Sequence, residues 1–216
     1  MSAPAALAFA KLFYPETEQS KTKSDSISID PPKEANVLDA ATQGASSAGI
    51  LVVNITAIVV AFIAFMAFLN SVVQFFGEQV GIHNLNFEII IGKIFIPLTF
   101  AMGVEWEDCE KVARLLGTKT ILNEFIAYKE LGVLIKAGQL SNRSIVIATY
   151  ALCGFANPGS IGVQLATLSS LAPERKADYA KVVMRAFISG TMACFLTACI
   201  AGTLYDGSQE FSTFKL

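Results

Sequence analysis

Apolar positions run in long blocks along this chain, and the charged positions fall between the blocks. Asp39 and Glu78 bound residues 40–77, which carry no charge. Residues 144–173, between Arg143 and Glu174, carry none, and neither do residues 186–205, between Arg185 and Asp206. A membrane helix needs about 20 mostly apolar residues, so each of these stretches is long enough to cross a bilayer. The strongest is residues 45–77, in which Ile50 to Leu69 is almost wholly apolar. A helix over residues 49–76 would be about 42 Å long against a hydrocarbon core of about 30 Å, so it should tilt or protrude. Ser46, Ser47, Ala48 and Gly49 at its start suit close helix packing.

The shorter blocks read differently. Residues 1–14 are small and apolar but lack a basic leader, and Pro4 interrupts them, so they read as the end of a membrane helix rather than a signal peptide. Residues 15–44 turn polar and form a solvated loop. Residues 84–103 are apolar but interrupted by Glu88, Lys93 and Pro97, a pattern that predicts an interfacial helix. In residues 104–116, Trp106, Cys109, Val112, Ala113 and Leu116 recur at helical spacing among acidic and basic residues. Residues 121–135 form a second short segment, and neither segment is long enough to cross alone. Joined at Gly117, with a tip over residues 117–124, they make residues 104–135 a re-entrant hairpin. Such a hairpin survives at membrane depth only inside protein or beside a watered cavity. Residues 143–172 are long enough to span, but Gly154, Asn157, Pro158 and Gly159 lie in the middle. Proline is costly inside a helix and glycine weakens it, so the chain should unwind over residues 154–160. The last span is residues 179–205, with Gly190, Cys194, Ala198 and Gly202 as a stripe of small residues, and residues 206–216 are a tail. The fold class is an all-α, polytopic membrane protein.

Composition supports this. The chain has 216 residues, 53% hydrophobic and 16% charged, where a soluble domain carries about 25% charged residues. That excludes a soluble enzyme, a disordered tail and, with a net charge of −2 and no basic surface, a nucleic-acid binder. Cys109, Cys153, Cys194 and Cys199 show no ligand spacing and read as buried thiols. His83 has no partner for a metal site and reads as a loop residue. Gly117-Thr118-Lys119-Thr120 has the wrong order for a phosphate loop. Arg175, Lys176, Lys181 and Arg185 hold their loop in the cytoplasm, which leaves the C-terminus and the Asn142-Arg143-Ser144 sequon outside.

Glu124 is the sharpest single residue. It lies among apolar neighbours, where a carboxylate costs roughly 2.5–3.5 kcal/mol at membrane depth, so it needs a partner or a task. The plain alternative is an ion pair with Lys119 or Lys129. A carboxylate that accepts two hydroxyl hydrogen bonds suits a sugar diol. Asn157 and Ser160 lie three apart across the break and offer donors and acceptors, unless they only satisfy one another. Phe155 either stacks on a flat ligand or packs. Thr118, Thr120 and Asn123 are weaker candidates.

These residues carry a resemblance. Ser2 to Ala8 (SAPAALA), Ala41 to Ala45 (ATQGA), Met102 to Trp106 (MGVEW), Thr120 to Tyr128 (TILNEFIAY), Ala148 to Asn157 (ATYALCGFAN) and Gly190 to Leu204 (GTMACFLTACIAGTL) fall in order along nearly the whole chain. Together they resemble the C-terminal half of the concentrative nucleoside transporters, the sodium–nucleoside symporters. The resemblance implies the second repeat of a two-repeat transporter, with a scaffold helix at 45–77 and a moving transport domain after it. It implies a homotrimer in the plasma membrane that takes up nucleosides by alternating access, coupled to Na+ or H+, with no organic cofactor. It assigns ribose binding to Glu124, Asn157 and Ser160, and a pocket-lining role to Phe155. It places the nucleobase contacts and the sodium site in the first repeat, which this chain lacks, so no metal ligands are expected here. Met1 matches an internal Met of the family motif, which reads as truncation. The alternative is a transport-incompetent membrane fragment with an assembly or regulatory role. An intramembrane enzyme built on Glu124 is weak, because no nucleophile, His or metal cluster accompanies it.

Overall fold

The computed structural model describes residues 2–17, 35–82 and 85–207. His83 and most of the tail over residues 206–216 lie outside the described residues. All regular elements among the described residues are helices: α1 (Ser2–Phe13), α2 (Val37–Gln79), α3 (Phe87–Ala101), α4 (Trp106–Ile121), α5 (Glu124–Lys136), α6 (Asn142–Leu152), α7 (Pro158–Leu171) and α8 (Lys176–Leu204), with one 3-10 turn at Pro173–Arg175. Among the described residues, two stretches are long and apolar enough to cross a membrane, Val60–Gln79 and Pro173–Leu204.

Helix α2 starts eight residues before the expected 45, inside what reads as polar loop. The reason is a strong start signal. Asn36 caps the helix by accepting from the Asp39 N–H at 2.9 Å, while the Asp39 carboxylate accepts from the Ala35 N–H at 3.0 Å. An acid in the first turn also favours the helix dipole. No Gly or Pro interrupts residues 37–43, so the helix runs straight into the apolar block.

The core is built around α4. Its stripe of Val112, Leu115 and Leu116 packs with Ala127 and Leu131 of α5, with Ile147, Ala148, Ala151 and Leu152 of α6, and with Phe195 and Ala198 of α8. Helix α3 crosses the other side of α4 nearly backbone to backbone. A Cβ on Gly117 would meet the Glu88 carbonyl oxygen at 2.5 Å, and one on Gly92 would sit 3.2 Å from Arg114 Cα. Lys93 pairs with Glu110 beside this crossing. Gly117 therefore lies within α4 as a packing residue, and the expected join of the hairpin at Gly117 is wrong. The turn falls at Leu122 and Asn123, because helical bonding continues to Leu122 N–H on the Thr118 carbonyl at 2.8 Å. At the base of the hairpin, Asp108 accepts from the Ser141 N–H at 2.9 Å and so ties α4 to the start of α6.

Helices α1 and α6 both pack on α8. Gly202 of α8 faces Ile147, whose Cγ1 would lie 2.7 Å from an added Cβ, whereas Gly190 has nothing within 4 Å. The stripe of small residues thus serves close packing at its C-terminal end and not at Gly190. Helix α2 stands apart. It packs on α7, and Val52, Val53, Phe65 and Phe68 are exposed.

Candidate functional site

Two helix starts meet at one cavity. Asn123 is the N-cap of α5 and accepts from the Ile126 N–H at 2.9 Å. Asn157 is the N-cap of α7 and accepts from the Ser160 N–H at 2.8 Å. Pro158 is the first residue of α7, where a missing N–H costs nothing and the fixed φ suits the helix. Proline therefore starts the second half-helix here rather than breaking the first. The non-helical residues run from Cys153 to Asn157, earlier than the expected 154–160.

The end of α6 shows how the break is tolerated. The last carbonyls of a helix lack partners within it. Tyr128 Oη donates to the Thr149 carbonyl at 2.7 Å, Lys119 Nζ to the Ala151 carbonyl at 2.8 Å, and Cys194 Sγ to the Cys153 carbonyl at 2.9 Å. Three neighbouring helices, α5, α4 and α8, thus each supply a side chain to the unwound end. Gly154 makes the last of these contacts possible: its φ is +141°, and an added Cβ would lie 2.5 Å from Cys194 Sγ. Cys153 is exposed in the break, against the expectation of a buried thiol, while Cys109 and Cys194 are buried.

Glu124 opens α5 and is 6% exposed; Asn157 is 4% exposed. Asn157 Nδ2 donates to Glu124 Oε2 at 3.3 Å. The carboxylate also sits in the first turn of α5, where a helix dipole favours negative charge. Neither Lys119 nor Lys129 is within 4.0 Å of it in any ion pair among the described residues. The expected alternative of a simple ion pair is overturned, because Lys119 is spent on Ala151 and Lys129 is exposed.

Glu124, Asn157, Ser160 and Phe155 all line a cavity of about 380 Å³, together with Asn123. The lining is mixed: Glu124, Asn157, Ser160 and Gln164 are polar, and Phe62 and Ile63 of α2 are among its apolar members. Phe155 and Phe125, 69% and 72% exposed, both line the cavity and meet edge to face at 6.4 Å. Thr118 turns away and donates to Glu130 Oε2 at 3.2 Å, and Thr120 is not part of the lining. A lining that joins polar side chains to apolar and aromatic surface suits a small ligand that carries both hydroxyls and a flat group.

Phe62, Ile63 and Lys119 are among the contributors beyond the sequence expectation. Phe62 and Ile63 sit in a helix that is apolar all round, so no periodicity singles them out. Lys119 had a signal: it extends the buried series Val112, Leu115, Leu116 by one more turn, a cation on the apolar stripe.

A cation such as Na+ takes oxygen ligands, and carbonyls freed by an unwound helix are the usual donors. Here the carbonyls of Thr149, Ala151 and Cys153 are already engaged by side-chain donors, and no cluster of three His, Cys, Asp or Glu occurs among the described residues.

The comparisons with known proteins identify the family and the overall fold. Residues 1–202 match the family model described as Na+ dependent nucleoside transporter C-terminus. The chain belongs to this family. It is 50% identical over 220 residues to Solute carrier family 28 member 3 of Mus musculus, covering 95% of this chain and 31% of that protein. It is 46% identical over 219 residues to Sodium/nucleoside cotransporter 1 of Oryctolagus cuniculus, covering 95% and 33%. Among solved structures, a CNTnw variant in an intermediate state matches with a TM-score of 0.83 at 36% identity, over 94% of this chain and 49% of that one. CNTnw in an inward-facing substrate-bound state matches with a TM-score of 0.74 at 37% identity, over 93% and 47%. The chain thus spans about a third of the length of these curated relatives and about half of the solved chains. The relatives are membrane transporters, so the enzyme reading of Glu124 is set aside.

Proposed function

We propose that this chain supplies one half of the substrate site of a sodium-coupled nucleoside transporter in the plasma membrane. The observation that carries the reading is the buried Glu124–Asn157 pair, held where the starts of α5 and α7 meet. Glu124 accepts the two hydroxyls of a ribose, and Asn157 and Ser160 hold the same sugar face. Phe155 flanks the base. The hairpin α4–α5 is re-entrant, α6–α7 is one interrupted membrane helix, and α2 is the scaffold of a homotrimer against which the site moves. Cation and nucleoside stabilise the same occluded state, and that shared preference is the coupling. The cation ligands belong to the other repeat.

The test is a chimera in which this chain replaces the matching C-terminal part of the mouse relative, expressed in cells without nucleoside uptake of their own. Sodium-dependent uptake of uridine or adenosine is expected. Glu124→Gln loses a charge-assisted acceptor, about 1.5–3 kcal/mol per hydrogen bond, so uptake efficiency should fall about 10- to 100-fold with surface abundance unchanged. A chimera that reaches the surface and takes up no nucleoside sinks the reading.

A further inference from the structure

Lys119 is 1% exposed, and it is the largest of the fully buried side chains. A buried ammonium without a carboxylate partner is costly, and such groups persist where they have a task. Its Nζ reaches from α4 to the Ala151 carbonyl at 2.8 Å, the last turn of α6 before the break. A cation at a helix C-terminus meets the negative end of the dipole. Glu124, Cys153 and Cys194 are the titratable groups within its electrostatic reach. Lys119 therefore links the helix that precedes Glu124 to the helix that precedes Asn157. It lies five residues before Glu124 on the hairpin, and its acceptor lies six residues before Asn157 on the broken helix.

We propose that Lys119 is a positioning residue of the nucleoside site: it ties α4 to the end of α6, and so fixes Glu124 against Asn157, and it supplies the positive charge behind that carboxylate. The tie has a neutral counterpart two residues earlier on α6, Tyr128 on the Thr149 carbonyl, which holds α5 to α6 without adding charge. The two bonds share a structural task, and only Lys119 adds the field at Glu124.

The inference rests on the proposed substrate site, so the test has one arm that needs no ligand. Hydrogen exchange is measured on the full chain in nanodiscs, over residues 119–126 and 150–157. Lys119→Met keeps the apolar stem and should raise exchange at least 10-fold in both segments, while Lys119→Arg, which keeps charge and donors, should not. The second arm uses the chimera and compares KM for uridine with KM for 2′,3′-dideoxyuridine. K119M should erase the preference for the diol as E124Q does, and K119M/E124Q should be no worse than E124Q. Tyr128→Phe should raise exchange near residue 150 yet keep the diol preference. Unchanged exchange in K119M overturns the tie, and an intact diol preference overturns the field. If K119M does not accumulate, Lys119→Gln carries the second arm, and a retained diol preference there overturns the proposal. If the unmutated chimera takes up no nucleoside, the substrate reading fails on its own, and the exchange arm still decides Lys119.

Discussion

Gly154 meets two demands that no other residue satisfies together. Its φ of +141° lies where L side chains are strained, and Cys194 Sγ occupies the space of a Cβ. Gly154→Ala should cost about 1–3 kcal/mol for the backbone alone, with the clash added. Thermal unfolding of the purified chain in detergent checks this, and Gly154→Ala with Cys194→Ala should recover the clash but not the backbone share. Full recovery in the double variant would show that conformation matters little there. At this scale the site was readable in sequence because its chemistry is out of place. Glu124 stands among apolar neighbours, and Asn157 follows a Gly inside a span, so both carry a cost that asks for a reason. Phe62 was invisible for the opposite reason, since one Phe among many in an apolar helix costs nothing. Lys119 was half visible: its charge was plain, but its acceptor is a backbone carbonyl 32 residues away, and sequence marks no carbonyl as free.

The element boundaries depend on which residue ends a helix and which starts the next. Gly117 and Pro158 both looked like breakers, and neither breaks a helix. Gly117 continues α4 because its missing side chain lets α3 approach, and Pro158 starts α7 because Asn157 caps it. A glycine that serves packing and a glycine that serves a turn look alike in one sequence. The distinction makes a prediction. Gly117→Ala must push apart the α3–α4 crossing at a 2.5 Å backbone contact, so folded yield should drop sharply, whereas Gly190→Ala, with nothing within 4 Å, should be neutral or slightly stabilising. Size-exclusion profiles of the two variants check it, and equal profiles would refute the crossing. The two Asn caps can be separated in the same way. Asn123→Asp keeps a capping oxygen and should change stability by no more than about 0.5 kcal/mol. Asn157→Asp also keeps the cap but removes the donor to Glu124 and sets a second carboxylate 3.3 Å away. Like charges at that distance disfavour joint ionisation, so N157D should be destabilised at neutral pH and recover as the pH falls and one carboxyl binds a proton. A melting temperature that does not depend on pH in N157D would refute the close pair.

At the scale of the whole molecule, one long helix packs on the body of the other helices through α7 and the start of α3, and particular contacts mark the junction. One is Phe62 against Gly159, whose added Cβ would lie 3.4 Å from the Phe62 ring. Another is Asn70, which accepts from the Phe87 N–H at 3.0 Å and donates to Glu88 Oε1 at 3.1 Å. Glu88 Oε2 is buried and has no hydrogen-bond partner among the described residues. In the proposed transport cycle the body shifts along α2, and a junction that includes hydrogen bonds suits that motion, because a broad apolar interface would hold the body in one place. The junction is also where the molecule is most exposed to single changes. Asn70→Ala removes both bonds and leaves the Glu88 carboxylate without its remaining partner, which costs about 1–3 kcal/mol beyond the bond itself. Glu88→Ala removes the buried charge together with its need. The double variant Asn70→Ala/Glu88→Ala should therefore be more stable than Asn70→Ala alone, an inversion that simple loss of contacts does not produce. Thermal unfolding of the three variants and the parent chain closes the cycle. If the double variant is the least stable of the four, Glu88 is satisfied by something other than Asn70, and the joint between α2 and the body lies elsewhere.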